Sequence, residues 1–198
     1  MISRNCQKEP WVGNVWKLLM QFKPDWMILV LLLISLATQP AAGNDMDWKS
    51  IGLRAGMDDN CGDEDFKQYE SFATWSLPWI WHPFSNWTIG TYLEANAGML
   101  HGGGESPFVG SIGPGLYFTG FKERIDISMG INPSIISKHK FGDENLGGTV
   151  QFTSHIGVNL NFTRHFTIGY RLQHMSNGIL YDKNPGLNLH MIEMGYRF

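Results

Sequence analysis

From Trp48 to the last residue, apolar and polar side chains alternate with a period of two. That period belongs to strands with two chemically different faces, and it constrains this chain more than any other feature. The longest run is Val150, Phe152, Ser154, Ile156, Val158, Leu160 and Phe162, alternating with Gln151, Thr153, His155, Gly157, Asn159 and Asn161. The same split sets Ile125, Ile127, Met129 and Ile131 against Arg124, Asp126 and Ser128, and Phe166, Ile168, Tyr170 and Leu172 against Thr167, Gly169, Arg171 and Gln173. It returns at the end, where Ile192, Met194, Tyr196 and Phe198 oppose Glu193, Gly195 and Arg197.

Strands are predicted at about 48–57, 67–77, 87–100, 107–118, 124–137, 148–161, 165–175 and 189–198, with no helical period anywhere after the first 43 residues. Gly102-Gly103-Gly104, Gly142-Asp143-Glu144-Asn145 and Asn184-Pro185-Gly186 mark the clearest turns between them. Eight strands of about ten residues suit an all-β, antiparallel up-and-down transmembrane barrel, in which each tilted strand needs about 9–11 residues to cross. Alternation alone fits a small soluble barrel equally well, with the apolar face turned inward. The membrane version is expected because the polar face carries Arg54, Glu94, Arg124, Asp126, Arg171, Glu193 and Arg197, charges that can pair inside a narrow lumen. Trp75, Trp79, Trp81 and Trp87 are then candidate interface aromatics. The terminal Tyr196-Arg197-Phe198 resembles the C-terminal signal of bacterial outer-membrane proteins. A net charge of −3 and a charged fraction of 17%, against roughly 25% in soluble domains, make nucleic acid an unexpected partner.

The one long apolar run, Trp26 to Ala37, is too short to cross about 30 Å of hydrocarbon and reads as the core of a signal peptide. Residues 1–43 are therefore expected to be a removed leader, cut after Ala42 or Gly43, with translation starting at Met20, and 44–198 to be the barrel. Cys6 falls in the leader, which leaves Cys61 alone in a polar loop with no disulfide partner and no assigned function.

The chemically informative segment is Gln173-His174-Met175-Ser176-Asn177-Gly178, followed by Asn184-Pro185-Gly186-Leu187-Asn188. Residues i and i+2 of a strand point to one side, so His174 and Ser176 can stand together. A serine hydroxyl is a poor nucleophile near neutral pH, and an adjacent imidazole that accepts its proton is the usual remedy. A third group must hold the imidazole in the right tautomer. The pair continues the series Phe166, Ile168, Tyr170, Leu172, so it is expected on the lipid side, facing the ester bonds of a lipid. The competing reading is two polar residues that merely end a strand. His101, His139, His155, His165 and His190 fall at no metal-ligand spacing, and no metal or cofactor is expected. Gly102-Gly103-Gly104 lacks the Lys-Ser/Thr of a phosphate loop.

The runs HMSNG and NPGLN and the closing GYRF resemble the C-terminal block of the lipid A 3-O-deacylase (PagL) family, grouped with acyloxyacyl hydrolase-like barrels. The motif match covers about the last 25 residues. The resemblance implies an eight-stranded barrel of the bacterial outer membrane that hydrolyses the ester-linked 3-hydroxyacyl chain of lipid A in lipopolysaccharide, with no metal needed. It implies His174 as general base, Ser176 as nucleophile, and Asn177 and Asn184 as oxyanion and loop-support residues. Asn188 stands where the best-described members carry a catalytic Glu. An Asn orients a histidine but does not offset the imidazolium charge. Asp182 is the candidate substitute acid, since the parity of Glu193 puts it on the lumen face. Self-association as a homodimer is left open. Two other classes compete: a non-catalytic structural or adhesive outer-membrane barrel, and a soluble periplasmic lipid carrier.

Overall fold

A computed structural model describes residues 46–58, 64–84 and 86–198. The expected leader, the Met20 start and Cys61 lie outside the described residues. The strands in chain order are β1 (Asp47–Asp58), β2 (Lys67–Phe84), β3 (Trp87–His101), β4 (Phe108–Gly120), β5 (Ile125–Ile136), β6 (Lys140–Phe141), β7 (Glu144–Asn145), β8 (Val150–Asn161), β9 (Phe166–Ser176) and β10 (Leu187–Arg197). Eight of them close into a barrel in the order β1-β10-β9-β8-β5-β4-β3-β2. Every barrel pairing is antiparallel, including β1 with β10, which leaves no open edge. Each of the eight expected strands is present.

Two local differences have clear causes. β2 runs to Phe84, seven residues past its predicted end, and its pairing with β3 shifts register between Ser76 and Ile80 and again between Trp81 and Phe84. Pro78 and Pro83 bring no ladder N–H, and Leu77 to Trp81 is almost continuously apolar, so the period-two signal fades while the strand continues. The small β6–β7 hairpin falls in a segment read only as a turn, with Gly142 at φ +54 between its strands.

The faces decide between the two barrel types. On β8, Gln151, Thr153, His155 and Gly157 are buried while Val150, Ile156, Val158 and Leu160 are exposed. On β10, Glu193 and Gly195 are buried while Ile192, Met194 and Tyr196 are exposed. Polar inside and apolar outside is the pattern of a membrane-spanning barrel and the reverse of a soluble one, because in hydrocarbon the exposed wall must be apolar. The turns at the end that holds Asp47 and Arg197 are short, between β2 and β3, β4 and β5, and β8 and β9. The connections at the other end are longer, and the site described below lies there.

The lumen has two parts, and the alternating pattern revealed only one. Toward the long-loop end it is an apolar core of Phe66, Leu100, Val109, Ile136, Phe141, Leu146, Met175, Leu187, Leu189 and Met191. Below that core lies an ion-pair cluster. Arg54 reaches Glu193 at 2.6 Å, Glu70 at 2.8 Å and Glu94 at 2.9 Å, and Arg171 grips Glu94 through two nitrogens at 2.8 and 2.9 Å. Phe72 covers the Arg54 guanidinium at 4.1 Å, and Tyr92 bonds His155 at 2.9 Å alongside. The expected charge pairing thus holds for Arg54, Glu94, Arg171 and Glu193, with Glu70 as a member that sequence reasoning missed. It does not extend to the others. Arg124 is exposed in the β4–β5 turn, Arg197 ends β10, and Asp126 is bonded to Thr119 and Asn161 instead.

Removing Arg54 would leave three carboxylates buried with only Arg171 to compensate them. Breaking a buried pair by deleting one partner costs about 3–5 kcal/mol. Arg54→Met is expected to lower the unfolding free energy measured in urea by about 3–5 kcal/mol, with a matching fall in the midpoint, and Arg54→Met combined with Glu70→Gln and Glu193→Gln to recover part of it. An unchanged midpoint for the single variant would show that the cluster is solvated.

Candidate active site

The end of β9 and the start of β10 are held in one register, with Asn188 opposite His174 and Leu187 opposite Met175. Met175 and Leu187 point inward and anchor the apolar core, each about 1% exposed. Their neighbours of opposite parity, His174, Ser176 and Asn188, therefore face outward. The core packing on one face fixes what the other face presents.

The imidazole of His174 bonds Asn188, Nδ1 to Oδ1, at 2.7 Å. An amide oxygen only accepts, so this bond puts the proton on Nδ1 and turns the lone pair of Nε2 away from Asn188. That is the tautomer a general base requires. Asn188 lies inside β10 rather than in the preceding loop, and cross-strand pairing is what delivers it to the ring. Against the ring edge sits Gly186, at φ +70, where a Cβ would come within 2.9 Å of His174 Cε1. Glycine is required there twice over, by the left-handed backbone and by the space the imidazole occupies. His174 is buried to 7% exposure although it faces away from the lumen.

Ser176 follows on the same outward face, half-buried, with Phe152 opposite it on β8. Ser154 is opposite His174 on β8. It is the one hydroxyl in the otherwise apolar outward series of that strand, a sequence signal that gains meaning only once the register is known. His174 is thus flanked by Asn188 on one side and Ser154 on the other.

Asn177 is completely buried. Its side-chain Nδ2 donates to the carbonyls of Leu146 at 3.2 Å and Lys183 at 2.6 Å, and its backbone N–H donates to Asn184 Oδ1 at 3.0 Å. These bonds tie the 177–186 loop to itself and to the 137–149 connection. Both donors of Asn177 are spent on that anchoring, whereas the Asn184 amide is exposed, with only its oxygen engaged by Asn177. Asp182 is exposed in the same loop, and the Nδ1 it would have to reach is taken by Asn188. Glu193 faces the lumen and is bound to Arg54. Four of the six other histidines have separate surroundings: His155 with Tyr92 in the lumen, His101 with Ser106, His165 with the Arg197 carbonyl, and His190 with Tyr170 on the outer wall.

Residues 67–197 match the family described as lipid A 3-O-deacylase (PagL). Among curated proteins, the lipid A deacylase PagL of Bordetella bronchiseptica is 36% identical over 76 residues, covering 38% of this chain and 43% of that protein. The lipid A deacylase PagL of Pseudomonas aeruginosa is 28% identical over 123 residues, covering 60% of this chain and 71% of that protein. Among solved structures, a crystal structure of the outer membrane enzyme PagL superimposes with a TM-score of 0.63 at 22% identity, covering 73% of this chain and 97% of that one. That likeness is one of fold.

Proposed function

The chain belongs to the lipid A 3-O-deacylase (PagL) family, and from that premise we propose that it is an outer-membrane esterase that releases the ester-linked 3-O-acyl chain of lipid A. The observation that carries the reading is the His174–Asn188 bond at 2.7 Å on the outward wall of a membrane barrel, with Ser176 two residues along the same face. The wall below it, Leu172, Tyr170 and Ile168 on β9 with Ile156, Val158 and Leu160 on β8, presents apolar side chains to lipid. A site at the long-loop end of that wall lies where the acyl region of the outer leaflet meets its headgroups, which is where the ester bonds of lipid A are.

The steps follow from these positions. Ser176 Oγ attacks the ester carbonyl as His174 Nε2 takes its proton, and Asn188 Oδ1 holds Nδ1–H through the transfer. The tetrahedral oxyanion that forms needs a donor already in place, and the exposed amide of Asn184 serves it. Asn177 acts as the anchor of the loop that carries Asn184. Collapse of the intermediate breaks the bond to the sugar oxygen, which leaves with the proton from His174. Water, deprotonated by the same histidine, then attacks the acyl-serine, the bond to Ser176 Oγ breaks, and the proton on His174 returns to that oxygen, which gives the free 3-hydroxy acid and restores the serine. Only the outward face is needed, so the plugged lumen is no obstacle.

Purified protein in detergent or vesicles containing lipid A is expected to release one free 3-hydroxy fatty acid per lipid A. Release of a different acyl chain, or of none, would refute the assignment.

A further inference from the structure

The loop that follows Ser176 opens with an unusual turn. The Leu180 N–H donates to the Asn177 carbonyl at 3.1 Å, and the two central residues are both left-handed, Gly178 at φ +58 and Ile179 at φ +65. Glycine is at ease there, but a β-branched residue with positive φ is strained. Ile179 gains no internal packing in return, because it is 83% exposed, and Leu180 beside it is 56% exposed. The loop is nevertheless held firmly: Asn177 fixes its start, and the Tyr181 ring lies over Gly148 of the neighbouring connection.

The other described long-loop tips differ. The β3–β4 connection turns through Gly103, Gly104 and Glu105, and the β6–β7 hairpin through Gly142 and Asp143. The loop next to the nucleophile alone among them holds out adjacent bare aliphatic side chains. These residues follow Ser176 by three and four positions, on the far side of the polar group of His174, Ser176 and Asn188 from the apolar wall. Backbone strain at Ile179 and bare aliphatic side chains at both residues are each unfavourable in water, and the exposure is relieved where the surrounding medium is hydrocarbon.

We propose that Ile179 and Leu180 form an apolar finger that takes an acyl chain of the substrate lipid itself, holding it against the outer wall so that its ester lies at Ser176. This rests on the esterase reading and adds the element that binds the lipid.

The test separates strain from contact. Ile179→Gly removes the side chain at a position where glycine is the preferred residue, so the barrel is expected to become slightly more stable to heat while lipid binding weakens. Ile179→Asn with Leu180→Ser keeps a residue tolerant of left-handed φ and removes both aliphatic groups. With lipid A presented in phospholipid vesicles, the double variant is expected to raise KM about tenfold or more, with a smaller change in kcat. A KM equal to that of the unaltered protein would overturn the proposal. A second measurement does not depend on turnover: an NBD label at Leu180→Cys, in a background with Cys6→Ser and Cys61→Ser, is expected to show blue-shifted emission in lipid A vesicles, while the same label at Glu105→Cys stays water-like. Water-like emission from both positions would overturn the finger. Hydrolysis by the unaltered protein with unchanged KM in the variants defeats the finger and leaves the esterase standing. A blue shift at position 180 without any hydrolysis defeats the esterase and leaves a lipid-contacting loop.

Discussion

Ser176→Ala and His174→Ala are each expected to lower release of the 3-O-acyl chain by about 10³-fold or more, because nucleophile and base act as one unit. For the same reason the double variant should be no worse than either single one. Neither side chain takes part in the two assemblies that hold the barrel, the apolar core around Met175 and Leu187 and the cluster around Arg54. Both variants are therefore expected to keep the shift in gel mobility on boiling that marks a closed barrel. The check is a rate of fatty-acid release measured beside that gel. Activity that survives loss of Ser176 would mean that another group attacks the ester.

Asn188 carries the second large effect, and the hydrogen bond sets its size. Replacing an aspartate by an asparagine in a serine-hydrolase triad costs about 10⁴-fold when the amide holds the wrong tautomer. Here the amide oxygen faces Nδ1 at 2.7 Å, so the tautomer is already correct. What a carboxylate would add is the charge that offsets imidazolium in the transition state, and hydrogen bonds to charged groups are worth about 1.5–3 kcal/mol. Asn188→Glu is accordingly expected to raise kcat by about 10- to 100-fold, and Asn188→Ala, which removes the bond to Nδ1, to lower it by a similar factor. Asp182→Asn should change little, since that carboxyl is exposed and Nδ1 is occupied. A large loss in Asp182→Asn together with no effect in Asn188→Ala would reverse the two assignments.

The barrel was legible because its period is two over nearly every strand, and a one-residue slip would turn every apolar side chain into the lumen. The outward parity of His174 and Ser176 followed from the same rule. Two parts were not legible. The apolar core needs Leu100, Ile136, Met175 and Leu187 to break the polar-inside rule at the long-loop end, and a pattern averaged along a strand hides a change of character between its two halves. The site also depends on register: that Asn188 meets His174, and that Ser154 flanks it from β8, are facts about pairing between strands. Loop length alone does not fix that pairing in a ten-residue connection such as 177–186. The resemblance of HMSNG and NPGLN supplied the association of His174 with Asn188 that spacing could not, and the hydrogen bond supplies its physical reason. The Gly186 contact with the ring and the bonds of Asn177 to Leu146 and Lys183 belong to the same class, long-range packing with no local signature.

We propose that Ser176, on the outer wall of this barrel, cleaves the 3-O-acyl ester of lipid A. Mass spectrometry of lipid A from outer membranes of cells carrying the intact protein, compared with cells carrying Ser176→Ala at equal abundance, tests it most directly. Lipid A lighter by one 3-hydroxyacyl group, lost from the 3-position, is expected in the first and not in the second. Identical lipid A in both, with the barrel folded and inserted, would contradict it and leave a structural barrel in its place.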